Sequence, residues 1–521
     1  MGRIYTLAEA QAQSQGQIKQ WLYNTLDVTG TREIADTLLP RLNENQKLIY
    51  AFERGLQAPA FSMMMRGALI DVPLRSQMVT GLRRELNKDM ANISKMKGIA
   101  DVWDATELET GLCKAEISKH HKWPRGVADS PERKCERCGT SRVRKAPFNP
   151  NSTDQVKHLL YDIHKIKPMT NKKGEISVDG DVLDRIGEKY PHFAHITEAI
   201  NGVKDKKKQL GSLAAKLTPD NRYPSSFNVG AAWTGRFSSS KNPHGLGGNL
   251  QNWAERHRAC LIPDHGYDLA YVDLKQAESN LVAHLADDEK YIEAHRSGDV
   301  HTYVTRLVWP SLPWTGDMKA DKKIAKQNPA WDQAPGHDFR FQAKRIQHGS
   351  NYGLTPRGIA MIARIPMMEA TIAQRNYFTA FPGIRAWQNA LRAQVHGQEA
   401  LVNIIRREIR LFGRPWDEHT FKQGLSFKPQ SGVADILDTS MWRIWDAMDP
   451  HELHLLAQVH DALLLQFLTG RIDIIRRAAN LMRIPVPVLG RTLIIEPEVA
   501  VGKNWGHKNK DNPNGIEELE I

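Results

Sequence analysis

Two aspartates that each adjoin a strongly apolar run could share one catalytic site. Asp273 follows Leu269–Val272 in "DLAYVDLKQAES", and Asp461 divides the apolar segment "LLAQVHDALLLQF". We expect the first run to form a buried strand and His460–Asp461 to form a two-residue hairpin turn, where aspartate tolerates unusual backbone angles. Two carboxylates held side by side would repel each other and favour a pair of Mg²⁺ ions, which promotes displacement at phosphorus. The alternative is two unrelated acids at strand ends.

A predicted helix carries a row of polar side chains that suits a nucleotide. Asp338 is a good N-cap and Gly353 a good C-terminal stop. Four side chains recur at every fourth position between them and share one slowly drifting face: Arg340, Lys344, His348 and Tyr352. Two cations at the start of this face suit a triphosphate, and the rings at its far end could pack against a sugar and base. The alternative is a solvated basic stripe.

These residues belong to a series of motifs in a defined order. The three main ones are Asp273, Gln276 and Glu278; Arg340, Lys344, Tyr352 and Gly353; and His460 with Asp461. Five further segments accompany them: "TGRFSS" at Thr234–Ser239, "NLQN" at Asn249–Asn252, "GDVH" ending at His301, "LFGR" at Leu411–Arg414 and "PQSGVADIL" at Pro429–Leu437. Over roughly residues 23–507, the chain resembles a family A DNA polymerase, of the kind found in bacterial repair polymerases and many bacteriophages.

The resemblance implies an α+β, multi-subdomain chain with the right-hand polymerase fold, in which an antiparallel-sheet palm carries helical fingers and a helical thumb. The expected divisions are 1–70 for an exonuclease-domain remnant with connecting helices, 71–225 for the thumb, 226–310 for the first part of the palm, 311–424 for the fingers, and 425–521 for the second part of the palm with the C-terminal tail. A long amphipathic helix is expected to run from the segment "RGALIDVPL" to about Met96.

The resemblance also implies a reaction, namely template-directed addition of deoxynucleotides to a primer 3′-hydroxyl by two-metal phosphoryl transfer. Asp273 and Asp461 would hold two Mg²⁺ ions. Arg340, Lys344 and His301 would bind the triphosphate, and Lys344 could also protonate the pyrophosphate leaving group. Catalysis would consist largely of alignment and charge stabilisation.

Other matched residues would contact the sugar, the base or the DNA. Glu278 would exclude a 2′-hydroxyl beneath the sugar, with Gln276 and His348 also at the nucleotide and Tyr352 near the templating base. The residues expected to contact DNA are Arg236, Asn249, Gln251, Gln430 and His460.

Three positions depart from the family pattern. His348 stands where Phe or Tyr is usual, and Asn280 replaces a common Arg. Ala462 follows Asp461 where the family usually has Glu. We expect Asp273 and Asp461 to suffice without that glutamate.

An insert at residues 112–146 has the composition of a zinc knuckle. Cys135 and Cys138 form a Cys-x2-Cys half-site, Cys113 supplies a third thiolate, and His121 or His120 supplies the fourth ligand. Structural Zn²⁺ would fold this polar loop, whose Arg and Lys residues could then grip a duplex backbone. The alternative is free thiols on a basic loop.

The segment Trp21–Leu39 resembles the last helix of a proofreading exonuclease domain, with Tyr23 and Asp27 in a Tyr-x3-Asp motif. The other metal-binding acids of that domain are missing from the chain, so we expect no proofreading by this chain alone. A separate exonuclease or processivity subunit is left open as a partner beside primer-template DNA and deoxynucleoside triphosphates.

Composition limits the other function classes. Lys and Arg outnumber Asp and Glu by 71 to 59, which is compatible with a polyanionic partner. Four cysteines in 521 residues favour a reducing compartment, and no apolar run is long enough to span a bilayer. We expect a cytoplasmic monomer, encoded by a phage and acting in its bacterial host. The alternatives are a single-subunit RNA polymerase and a DNA-binding accessory protein with a weak active site.

Overall fold

The computed structural model describes residues 15–99, 102, 112–113, 116–120, 132–138, 141–143, 148–171, 174–332 and 336–520. The α-helices are α1 Gln15–Leu38, α2 Glu44–Arg66, α3 Val72–Ile93, α4 Thr153–Lys157, α5 Gly180–Lys189, α6 Ala194–Leu213, α7 Ala277–Leu285, α8 Glu289–Arg296, α9 Val300–Val308, α10 Met318–Ala325, α11 Phe339–Asn351, α12 Pro356–Ala363, α13 Met367–Ala380, α14 Pro382–His396, α15 Glu418–Ala447 and α16 Ile472–Met482. A π-helical turn, His158–Ile163, continues α4.

The strands are mostly short. They are β1 Ala68–Ile70, β2 Leu112–Cys113, β3 Glu116–His120, β4 Glu132–Lys134, β5 Ser141–Val143, β6 Arg222–Tyr223, β7 Ser226–Asn228, β8 Ser238–Ser240, β9 Leu261–Ile262, β10 Tyr267–Leu274, β11 Leu401–Val402, β12 Glu408–Ile409, β13 Leu453–Val459, β14 Ala462–Leu468, β15 Val486–Val488, β16 Arg491–Leu493, β17 Pro497–Gly502, β18 Asn504–His507 and β19 Gly515–Leu519.

One six-stranded sheet organises the centre of the molecule, in the order β13-β14-β10-β17-β19-β18. All its pairings are antiparallel except that between β18 and β19 at one edge. Six consecutive residues of β14 are buried, as expected for a strand covered on both faces. One hydrophobic cluster joins β10, β13 and β14 to apolar residues of α15 and α16.

Helices form two further cores beside the sheet. The larger one packs α7–α9 and α11–α14 around fully buried rings such as Tyr291, Tyr377 and Phe381. The smaller one packs α3–α6 together through Ile93 and Leu183. No helix in the described part of the chain is long and apolar enough to cross a bilayer.

Several predicted elements are confirmed, and one is wrong in part. β10, α7, α11 and the β13–β14 hairpin lie where the sequence predicts them. The helix expected from "RGALIDVPL" begins only at Val72, because Asp71 caps it and Ala68–Ile70 instead pairs with β6 and β9. The subdomain boundaries remain predictions.

A buried polar network ties α15 to its surroundings. Arg407 donates from Nη2 to Asp435 Oδ1 at 2.7 Å and from Nη1 to Glu53 Oε1 at 2.5 Å. Asn403 Nδ2 donates to Asp435 Oδ2 at 2.6 Å. Because the Asp435 side chain is fully buried, it depends on these donors for the hydrogen bonds that water would otherwise provide.

Replacing Asp435 with Ala is expected to destabilise the protein by about 3–5 kcal/mol, since it removes the buried partner of Arg407 and leaves that charge with the Glu53 ion pair alone. Urea unfolding followed by circular dichroism measures the shift of the midpoint. Asp446→Ala, at an exposed position of the same helix, is the control and should leave the midpoint nearly unchanged. Equal effects of the two substitutions would contradict the role of the network.

Candidate active site

The sheet brings Asp273 and Asp461 together at one end of its central strands. We call this end the carboxylate edge. Asp273 pairs in register with Ala462, the first residue after the β13–β14 turn. His460 adopts a positive φ of 57°, which allows the tight turn with Asp461. The backbone N–H of Leu274 donates to the Asp461 carbonyl at 3.1 Å, so the turn is fastened to the end of β10. The predicted juxtaposition of Asp273 and Asp461 is therefore present.

The electrostatics of this edge favour a cation. Burial, followed by repulsion from Asp461 and Glu498, raises the pKa of Asp273 to about 7, while Lys344 opposes the shift. Burial also raises the pKa of Asp461, against the opposing charge of Arg236. A cation bound between these carboxylates would offset both the burial and the mutual repulsion that raise their pKa values. The residues present therefore fit a divalent metal site.

Glu498 is a third acid beside Asp273 and Asp461, and the sequence motifs did not reveal it. It pairs in register with Asp273 from the opposite neighbour, β17, and antiparallel partners place their side chains on one face of a sheet. Lys275 Nζ contacts Glu498 Oε1 at 3.1 Å. The only sequence signal is an acid in the alternating segment "EPEVAVG", which does not indicate its partner. Glu498 adds negative charge beside Asp273 from β17, on the side of β10 opposite to Ala462.

Arg236, Glu278 and Tyr352 form a connected group next to the carboxylates. Arg236 forms an ion pair with Glu278, and its Nη2 lies 3.4 Å from Asp461 Oδ1. The Tyr352 hydroxyl donates to Glu278 Oε2 at 2.7 Å, and burial raises the pKa of that phenol well above its usual value. The His348 and Tyr352 rings meet edge to face at 4.7 Å. α11 thus contacts the carboxylate edge through the end of its predicted face.

The beginning of the α11 face is arranged differently for its two cations. Lys344 is exposed, and its charge opposes the rise in the pKa of both Asp273 and Asp461. Arg340 instead makes two hydrogen bonds with Asp299, each 2.9 Å long. Asp299 also caps α9 by accepting from the backbone N–H groups of His301 and Thr302. Of the two cations predicted to bind the triphosphate, Lys344 is therefore exposed, and Arg340 is held in place by a carboxylate.

His301 lies beside this pair and is buried. Its Nδ1 is 2.7 Å from Gln347 Oε1. Burial and the nearby Arg340 charge lower the pKa of His301 to about 4. At neutral pH, His301 is therefore an uncharged hydrogen-bonding group and not a third cation.

The residues predicted to contact DNA lie on several different elements. Asn249 accepts from Ser239 Oγ at 2.8 Å, and Gln251 Nε2 donates to the Phe237 carbonyl at 3.4 Å. Both side chains therefore brace the segment that carries Arg236. His460 is exposed in the hairpin turn, whereas Gln276 and Gln430 are half-buried, at the start of α7 and within α15.

The predicted zinc site lies partly outside the described residues. Cys135 and Cys138 are described, and the Arg137 N–H donates to Cys135 Sγ at 3.4 Å. The side chains of Cys113, His120 and His121 lie outside this part of the chain. Among the described residues, no group of three or more His, Cys, Asp or Glu is arranged to hold a metal. The zinc knuckle stays a prediction.

Comparison with known proteins adds independent findings. The family model described as DNA polymerase family A matches residues 132–507. The thermostable DNA polymerase I of Thermus aquaticus is 26% identical over 383 residues, which cover 70% of this chain and 42% of that protein. The DNA polymerase I of Mycobacterium tuberculosis is 27% identical over 378 residues, which cover 69% and 38%. The chain thus matches less than half the length of either relative.

A solved structure shows the same fold. It is the POL domain of Pol1 from M. smegmatis in complex with DNA primer-template and dNTP. The TM-score is 0.63 at 21% sequence identity, and the match covers 87% of this chain and 70% of that chain. The predicted right-hand polymerase fold is confirmed.

Replacing Glu498 with Gln is expected to lower the pKa of Asp273 from about 7, because it removes a negative charge that repels the Asp273 carboxylate. Carbon-13 NMR titration of metal-free protein measures this pKa, and Asp273→Asn identifies the resonance.

Because the folded-state pKa of Asp273 lies above its ordinary value of 3.8, this carboxyl stabilises the fold fully below about pH 4, and the contribution is lost as pH rises through about 7.

Glu496→Gln serves as the matched control for this titration. Glu496 lies two residues before Glu498 and forms an ion pair with Arg483 at 2.7 Å, so removing its charge should leave the pKa of Asp273 unchanged. An Asp273 pKa that does not change in Glu498→Gln would contradict the proposed coupling across β10 and β17.

Proposed function

Because its family match covers residues 132–507, the chain belongs to DNA polymerase family A, and we propose that it extends a DNA primer on a DNA template using deoxynucleoside triphosphates. The observation that carries this proposal is the placement of Asp273 and Asp461 at one sheet edge beside the exposed cation Lys344. A half-buried pair of carboxylates with raised pKa values next to an exposed cation suits a substrate that brings phosphates and divalent metal together.

Asp273 and Asp461 would hold two Mg²⁺ ions. When bound, Mg²⁺ makes the primer hydroxyl a better nucleophile and neutralises charge on the phosphates. The two carboxylates orient the reacting groups by their fixed positions on β10 and the hairpin turn, so little rearrangement is needed at the moment of reaction. Glu498 would add negative charge to this edge from β17, although its own side chain is paired with Lys275.

The cationic face of α11 would receive the triphosphate. Lys344 is free to approach phosphate oxygens, where its charge stabilises the departing pyrophosphate and its ammonium can donate a proton. The Arg340 guanidinium can bind the triphosphate only if its ion pair with Asp299 is broken or is shared with the substrate. His301, neutral at pH 7, would donate a hydrogen bond instead of a charge.

Glu278 would set the preference for deoxyribose. Its carboxylate is anchored by Arg236 on one side and by the Tyr352 hydroxyl on the other. An anchored carboxylate cannot move aside for an added hydroxyl, so a ribonucleotide would meet both steric overlap and a disturbed hydrogen-bond network. Tyr352, held by the same bond, would pack near the templating base.

One sequence segment supports a role in a phage. The segment "PQSGVADIL" resembles the phage version of its motif, which supports a role in phage DNA replication. The named relatives are bacterial polymerases. We propose that the protein acts on primer-template DNA as a monomer. A separate exonuclease or processivity subunit is left open as a further partner.

Asp273→Asn and Asp461→Asn are each expected to reduce primer extension by about a thousandfold, since each removes a carboxylate charge that metal binding requires. Gel-based extension of a labelled primer with Mg²⁺ and deoxynucleotides measures the rate. Asp446→Asn, at an exposed position of α15, should extend at the wild-type rate. Absence of incorporation by the wild-type protein would refute the proposed function and favour an accessory role.

Glu278→Ala is expected to reduce discrimination against ribonucleotides by about a hundredfold, because the group that meets the 2′-hydroxyl is removed. Single-nucleotide incorporation with paired deoxy- and ribonucleotide substrates gives the ratio of kcat/KM values. Glu293→Ala, an exposed acid on α8, is the control. A wild-type preference for ribonucleotides would instead identify an RNA polymerase.

A further inference from the structure

Four lysines occupy one face of α10. Lys319, Lys322, Lys323 and Lys326 recur at i, i+3, i+4 and i+7, the spacing that places side chains on one side of a helix. Lys326 directly follows α10 and continues its last turn, since its N–H donates to the Lys322 carbonyl at 3.1 Å. All four side chains are exposed, and none forms an ion pair with a carboxylate in the described part of the chain. We call this surface the lysine face.

The opposite face of α10 is anchored to the protein. Asp321 is fully buried, accepts from the Thr315 N–H at 2.7 Å and pairs with Arg306 of α9 at 3.5 Å. Asp317 caps the helix by accepting from a backbone N–H of the first turn at 2.8 Å. The acids nearest to the lysine face in sequence therefore cap and anchor the helix and do not pair with its lysines.

The lysine face is unfavourable for the helix by itself. Residues three and four positions apart are neighbours on a helix surface, so the four ammonium groups repel one another. The helix dipole favours positive charge near the end of α10, but Lys319 lies in the first turn, where the dipole opposes it. A charge arrangement that the anchor maintains against this repulsion suits a polyanionic ligand.

The lysine face adjoins the triphosphate end of α11. α10 packs against both α9 and α11. The Phe339 N–H donates to the Gln327 carbonyl at 3.1 Å, which ties the residue after Lys326 to the residue before Arg340. Across this hydrogen bond and two peptide units, the Cα atoms of Lys326 and Arg340 lie within about 13 Å of each other. The lysine face therefore begins beside the cations proposed to bind the triphosphate.

This placement favours a free nucleotide over DNA as the ligand. Tyr352, proposed to pack near the templating base, lies twelve residues after Arg340 on α11. About 18 Å of helix therefore separates the template end of α11 from the end that adjoins the lysine face. The polyanion that must reach the Arg340 end in every reaction cycle is the nucleoside triphosphate.

We propose that the lysine face attracts nucleoside triphosphates from solution and raises the rate at which they reach Arg340 and Lys344. This inference rests on the proposed function, because it needs a triphosphate as the substrate. Clustered charge of one sign raises the local concentration of an oppositely charged ligand and accelerates its association, by an amount that falls steeply with ionic strength. Lysines suit this task, since their flexible ammonium groups attract phosphate without fixing its orientation.

The test measures how fast mant-dATP, a fluorescent deoxynucleotide, binds the protein in complex with a primer-template. The primer ends in a dideoxynucleotide, which prevents bond formation, so stopped-flow fluorescence reports association and dissociation alone. The variant combines Lys319→Gln, Lys322→Gln, Lys323→Gln and Lys326→Gln. At low ionic strength it should associate with mant-dATP about tenfold more slowly than the wild type, with an unchanged dissociation rate.

Salt and charge-preserving substitutions test the electrostatic origin of this difference. At about 300 mM NaCl, where the screening length falls to about 6 Å, the two association rates should converge. A variant with Arg at the same four positions keeps the charge and should retain the wild-type rate at every salt concentration.

A matched control removes four charges elsewhere on the surface. It combines Gln substitutions at four exposed lysines of other elements, namely Lys47, Lys290, Lys508 and Lys510. Its association rate should equal that of the wild type, which separates the lysine face from the net charge of the protein. Fluorescence anisotropy of labelled primer-template verifies that every variant is saturated with DNA, and circular dichroism verifies its fold.

Several results would overturn the inference. They are equal association rates in the wild type and the quadruple Gln variant, an equal loss in the control variant, a change confined to the dissociation rate, and a loss of DNA affinity in place of nucleotide association, which would identify a DNA contact. Primer extension separates this inference from the proposed function. A wild type that extends primers while its lysine variant associates normally overturns the inference alone, whereas a wild type that incorporates nothing refutes both.

Discussion

The register of β10 between its two neighbours is the constraint on which the proposed active site depends. Asp273 faces Ala462 on one side and Glu498 on the other, while the hairpin turn that follows β13 places Asp461 at the same edge. A shift of one residue would turn Asp273 to the opposite face of the sheet. Burial of nearly every side chain in β14 opposes that shift, because it would disrupt packing along the entire strand.

Helix α11 complements this edge without being part of the sheet. Its predicted polar face is present, but its members have different environments. Lys344 is exposed toward the carboxylates, Tyr352 is fixed on Glu278, and Arg340 is held by Asp299. Asp299 also organises the first turn of α9, which carries His301. One buried carboxylate thus orients two of the groups proposed to bind the triphosphate.

Helix α15 connects the remaining parts of the site. Its centre carries Asp435, which binds Arg407 within the protein, and its first turns line an exposed groove together with Trp233. Phe427 supports Trp233 between them. Because one helix is anchored by a buried ion pair and also carries Gln430, its position links the stability of the fold to a residue proposed to contact DNA.

The sequence alone determined the pair of carboxylates proposed to be catalytic, the polar face of α11 and the family, because strand ends, helical spacing and ordered motifs are local patterns. It misjudged the start of α3, since the pairing of Ala68–Ile70 with β6 and β9 outweighs local helical periodicity. Only the tertiary structure revealed the position of Glu498 beside Asp273 and the capture of Arg340 by Asp299. Those features arise from strands and loops that are distant in sequence, and spacing along a chain carries no information about which of them will pack together.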